Sequence, residues 1–114
     1  MEYKKDVKKL FNFAKKIVDK KTLKKIKKVK DIKEKVEMLK YSIKTELEMM
    51  HYSLIRKIRR LEKEKKDVFC EEVKTSLLNS KIKYFLISYH KDDFKNILSL
   101  YKEIERGLLN VQSV

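Results

Sequence analysis

The chain has 114 residues with one glycine, no proline and one cysteine, and its 31 Lys and Arg against 17 Asp and Glu leave a formal net charge of +14. So little glycine and proline argues against sandwiches, barrels and α/β folds, whose turns depend on those residues. No glycine-rich phosphate loop can be built either, which removes the P-loop and Rossmann nucleotide enzymes.

The charge is unevenly spread. Residues 1–30 hold thirteen lysines against three acids, residues 31–66 eleven basic against seven acidic, and residues 67–114 seven of each. Basic charge gathered at one end is the footprint of a surface that meets phosphate. A bland reading competes: the only arginines are Arg56, Arg59, Arg60 and Arg106, and such lysine bias is common in AT-rich genomes and hyperthermophiles. That bias explains lysine in place of arginine, but not why acids avoid the first thirty residues. The lone Cys70 excludes an intramolecular disulfide, no hydrophobic signal opens the chain, and the longest apolar run is Tyr84–Ile87. A soluble, intracellular protein is expected.

In chain order, Val7, Leu10, Phe11, Ala14, Ile17 and Val18 form one helical stripe among lysines. Asp19–Lys21 reads as a break, after which Thr22 is expected to cap a short helix carrying Leu23, Ile26 and Val29 among seven lysines. Self-repulsion there suggests order only against an anion. Asp31 with Glu34 resembles a capping box. Then Ile32, Val36 and Leu39 recur eleven residues on as Ile43, Leu47 and Met50, and again as Leu54, Ile58 and Leu61. An eleven-residue repeat is 3.67 residues per turn, so the stripe runs nearly straight along a helix over 31–65, about 50 Å long. Met38/Met49 and Tyr41/Tyr52 repeat at the same interval and are expected to widen its buried face.

Asp67 is the expected N-cap of a helix over 67–90 with a buried stripe of Phe69, Val73, Leu77, Ile82, Phe85, Leu86 and Tyr89, although a continuous helix through 62–66 is also open. Asp92 is expected to cap a last helix over 93–109, with Phe94, Ile97, Leu98, Tyr101, Ile104 and Leu108 inward, Gly107 at its end and 110–114 frayed. The expectation is an all-α single domain, 1–114: an antiparallel helical bundle of three long helices plus a short basic N-terminal helical segment over 1–30. The packing helices span roughly 35 and 24 Å and cannot cover the long stripe. The remainder must be covered by the N-terminal helix or by a second molecule, which makes Val36, Leu39, Ile43, Leu47, Met50, Leu54, Ile58 and Leu61 a candidate interface for a partner chain or a second copy.

No catalytic constellation assembles. Glu48-Met-Met-His51 has di-iron spacing but lacks the remaining ligands, so no metal or other cofactor is expected. His90 with Asp92 and Asp93 reads as an interhelical turn, and Cys70 stands beside Glu71 and Glu72, which oppose thiolate formation. Arg56, Arg59, Arg60 and Lys63 share a helical face and suit phosphates, with surface ion pairs to Glu62 and Glu64 as the alternative. With Lys20, Lys21, Lys24, Lys25, Lys27, Lys28 and Lys30 they form the candidate nucleic-acid contact, driven by backbone phosphates of RNA or DNA. The leading expectation is a non-enzymatic small subunit of a ribonucleoprotein or chromosomal assembly. Alternatives are an interaction module pairing through the long helix and, more weakly, membrane-surface binding by the N-terminal amphipathic helix.

Overall fold

A computed structural model describes residues 2–113, with side chains from Lys4 onward. The described residues are all-α: α1 Glu2–Ile17, α2 Lys20–Lys27, α3 Ile32–Lys63, α4 Phe69–Ser88 and α5 Lys91–Ser113. The chain divides into two compact units, Met1–Leu47 and Glu48–Val114, and the division falls inside α3. Among the described residues no helix is long and apolar enough to cross a membrane.

In the first unit, α1 buries Leu10, Phe13 and Ala14, with Val18 buried just past its end, α2 buries Leu23 and Ile26, and the start of α3 buries Val36, Leu39, Ile43 and Leu47. Phe13, outside the expected stripe, is buried while Phe11 is only half-buried. The α1–α2 corner is set by Asp19, not Thr22: the Asp19 carboxylate accepts the Thr22 N–H at 3.1 Å and the Thr22 hydroxyl at 2.7 Å. These two bonds hold the Asp19 carboxyl below its usual pKa, the hydroxyl contributing most. Asp31 supplies the expected side-chain acceptor at the start of α3, taking the Lys33 N–H at 3.0 Å, and the Glu34 half of the expected capping box does not form among the described residues.

In the second unit, α4 and α5 form an antiparallel hairpin. Lys74 pairs with Glu103 at 3.7 Å, Lys66 Nζ donates to the Gln112 carbonyl at 2.9 Å, and the Phe85 and Phe94 rings stand 5.2 Å apart at the closed end. The C-terminal half of α3 lies beside α5 in the same direction, through Lys57–Glu105 at 3.7 Å, so the three segments run up, down and up. The inner seam holds Leu54, Ile58, Leu61, Val68, Leu78, Ile82, Phe85, Phe94, Ile97, Ile104 and Leu108.

Several expectations change. The stripe offered to a partner is already covered within one chain: Val36, Leu39, Ile43, Leu47, Leu54, Ile58 and Leu61 are 5% exposed or less, and only Met50 is half-buried. The long helix therefore has little free apolar stripe left to pair. Conversely Tyr41, Met49 and Tyr52 face solvent, and the guanidinium of Arg56 lies 5.9 Å over the Tyr52 ring. On α4, Phe69, Val73 and Leu77 are exposed, and the inner face is Glu71, Thr75, Leu78, Ile82 and Phe85. Polar residues fit there because Thr75 donates its hydroxyl to the Glu71 carbonyl at 2.7 Å and the aliphatic stem of Glu71 packs on Gly107 of α5.

The helix ends differ as well. α3 stops in a Schellman arrangement, Lys66 N–H to Leu61 carbonyl at 3.1 Å and Lys65 N–H to Glu62 carbonyl at 2.9 Å, with Lys65 in the left-handed region at φ 61°. No helix continues through 62–66. Asp67 takes the Phe69 N–H at 3.1 Å from one residue outside the cap position, which Val68 holds. α5 is capped by His90, whose Nδ1 accepts the Asp92 N–H at 3.2 Å, so Asp92 sits in the first turn. Gly107 lies inside α5, which continues to Ser113. Val114 lies outside the described residues.

Candidate nucleic-acid interface

In the first unit the candidate lysines ride on α2. At 100° per residue, Leu23 and Ile26 point inward, which leaves Lys21, Lys24, Lys25 and Lys28 on the outward arc and Lys20 at its edge. Lys30 follows in the loop, also exposed. Two members are partly committed. The ammonium of Lys27 stands 6.0 Å from the Phe11 ring, and Lys25 lines a groove of about 300 Å³ with Glu34 and Glu37 of α3 opposite. Among the described residues, no carboxylate lies within 4.0 Å of any ammonium of α1 or α2. Lys4, Lys5, Lys8, Lys9, Lys15 and Lys16 of α1 are likewise exposed and extend the basic surface beyond the residues singled out from sequence. Their paired, i to i+4 spacing was the available signal.

In the second unit Arg56, Arg59, Arg60 and Lys63 are all exposed on the outer face of α3. They do not act as one cluster. Arg56 and Arg60 line a groove of about 320 Å³ with Ser53 and Lys57. Arg59 instead borders a groove of about 340 Å³ between α3 and α4, with His51, Glu62 and Glu72. The ion pairs offered as the alternative do not form, since among the described residues none of the four cations has a carboxylate within 4.0 Å. Glu62 meets Glu72 across the groove, and their shared hydrogen bond together with like-charge repulsion pushes the Glu72 carboxyl up. Lys57, absent from the candidate set, is the cation that finds an acid, Glu105 at 3.7 Å.

His51 is half-buried against α4, and desolvation lowers its pKa below the ordinary 6.5, aided by the charge of Lys83 and opposed by hydrogen bonding to the Thr75 backbone. Among the described residues no group of three His, Cys, Asp or Glu side chains is placed to hold a metal ion. Cys70 is exposed. What the surface offers chemically is a set of exposed cations that, among the described residues, have no carboxylate within 4.0 Å, the lysines in one unit and the arginines in the other. Comparison with known protein families, with characterised proteins and with solved structures finds no match.

Proposed function

We propose that this chain is a non-enzymatic binding protein whose exposed cations contact the phosphates of RNA or DNA, as a small subunit of a ribonucleoprotein or chromosomal assembly. The observation carrying this reading is the absence, among the described residues, of any ion pair to the lysines of α1 and α2. Fourteen excess positive charges repel one another and destabilise a compact chain unless an external anion offsets them. Phosphate contact by Lys20, Lys21, Lys24 and Lys28 releases condensed counterions and supplies affinity without base readout. Arg56, Arg60 and Ser53 add donors suited to a phosphate oxygen.

The test is fluorescence anisotropy with labelled single-stranded RNA, duplex RNA and duplex DNA across a salt series. The expected result is binding that weakens with a slope of several counterions, and whose order among the probes names the target. Changing Lys24, Lys25, Lys27 and Lys28 to glutamate abolishes it, and changing them to glutamine weakens it while circular dichroism stays helical. Full affinity of the glutamate variant at low salt overturns the reading.

A further inference from the structure

α4 is apolar on two opposite faces, and only one is used inside the chain. Leu78, Ile82 and Phe85 turn inward, while Phe69, Val73, Leu77, Tyr84 and Ile87 are 69, 53, 49, 63 and 84% exposed. At 100° per residue these five fall within an 80° arc, roughly opposite the buried one. The strip is about 27 Å long at 1.5 Å per residue and exposes on the order of 500 Å² of apolar surface, at the size of patch that marks an interaction site. We propose that this face is a self-association surface, on which α4 of a second copy lies antiparallel.

Three features of the strip select a second copy in that orientation. Its large side chains stand toward the two ends and its centre carries Ser76 and Ser80. Antiparallel pairing about residue 78 then sets Phe69 against Ile87 of the second copy and lets the backbones approach at the serines. The second feature is charge order along one flank, where Glu72 precedes Lys83. A two-fold axis perpendicular to antiparallel helices brings like flanks together, so Glu72 meets Lys83 of the second copy, twice over. A parallel pair would instead bring unlike flanks together, setting Glu72 against Lys74, which Glu103 already holds, and Lys83 against Lys81, which no acid offsets among the described residues. The antiparallel contact also gives Glu72, which within the chain shares a hydrogen bond with the like-charged carboxylate of Glu62, an opposite charge. On the other flank Lys74 would face Lys81 of the second copy, but Lys74 is already held by Glu103 at 3.7 Å, which tempers that repulsion. The third feature is area. The strip falls short of the about 800 Å² per partner of a standard interface, so the pair is reversible and concentration-dependent and the monomer is the species at high dilution.

Sedimentation velocity from low micromolar to millimolar protein tests this without reference to nucleic acid. The expected result is a shift from monomer to dimer, lost in Leu77→Asp, which removes no buried side chain and leaves the helical spectrum unchanged. Lys83→Glu alone weakens the dimer at least several-fold. The exchange Glu72→Lys with Lys83→Glu restores it, because each new cation again meets a new acid. Lys81→Glu strengthens it by pairing with Lys74. A chain that stays monomeric throughout, a dimer indifferent to Leu77→Asp, or a charge exchange that fails to restore association overturns the proposal. A larger complex formed only with another protein does so too, since the occupant is then not a second copy.

Discussion

The carboxylate oxygen of Glu71 lies 3.2 Å from the point where a Cβ on Gly107 would stand. The single glycine of the chain is thus inside a helix, where it costs about 1 kcal/mol relative to alanine, and what it provides is room for a buried carboxylate stem from the facing helix. Gly107→Ala should therefore change stability by less than about 0.5 kcal/mol, the helix gain being offset by displacement of Glu71. In a Glu71→Ala background the same change should stabilise by about 1 kcal/mol, a coupling read from a double-mutant cycle in urea. Equal effects in both backgrounds would remove the contact as the reason for the glycine.

Lys65 and Tyr89 both close helices in the left-handed region, at φ 61° and 49°. A side chain there costs roughly 1 kcal/mol that glycine avoids. Lys65 is exposed, so Lys65→Gly should raise stability by about 0.5–1 kcal/mol in thermal unfolding. Tyr89→Gly should not, because the Tyr89 ring packs 5.3 Å from Phe85 and its loss removes more than the strain it relieves. A destabilised Lys65→Gly protein would mean that the left-handed closure of α3 is not strained.

Adjacent residues Leu77 and Leu78 separate the two faces of α4, at 49 and 0% exposure. At low micromolar concentration Leu78→Ala should cost about 3 kcal/mol, and Leu77→Ala should stay within about 0.5 kcal/mol. Equal losses would mean that the outward face is covered within the chain. This pair also marks where sequence reading stops. Phe69, Val73 and Leu77 have the spacing of a core stripe, and periodicity alone cannot rank two apolar faces of one helix. The deciding facts are Thr75 and Glu71, polar residues whose inward fit depends on a hydroxyl bonded to its own helix and on Gly107 across the seam.

The eleven-residue repeat was more legible, because every position from Val36 to Leu61 on one face had to be apolar for α3 to remain straight and covered. The basic segment was legible too, since charge composition needs no geometry. Helix ends were less so: with no proline and one glycine, the chain closes α3 on Lys65 and α4 on Tyr89, and opens α5 on the imidazole of His90, none of which is the usual residue at its position. The division of the arginines between two grooves also needed the structure, because it depends on where α4 and α5 flank α3.

Burial against α4 lowers the pKa of His51 below 6.5, so its proton is bound more readily by the unfolded chain. Above pH 6.5 the ring is neutral in both states and adds no pH dependence. As pH falls below that value the unfolded chain takes up the proton first, and the folded state loses stability until its own lower pKa is passed. His51→Gln should flatten the decline in melting temperature between pH 7 and 5. An unchanged slope would assign the pH dependence elsewhere.

Neighbouring cations on α3 give the phosphate-contact reading its finest test. Arg56 and Arg60 have no carboxylate within ion-pair distance among the described residues, whereas Lys57 between them in sequence is held by Glu105 at 3.7 Å. A cation that already has an internal counter-charge displaces fewer condensed ions when phosphate arrives. Arg56→Gln and Arg60→Gln should each lower the slope of log affinity against log salt by about one. Lys57→Gln should lower it by distinctly less, and in freeing Glu105 it adds an exposed negative charge that weakens binding at low salt. Slopes unchanged from the parent protein in all three variants would show that these cations of the second unit do not touch the nucleic acid and would leave the contact to the lysines of α1 and α2.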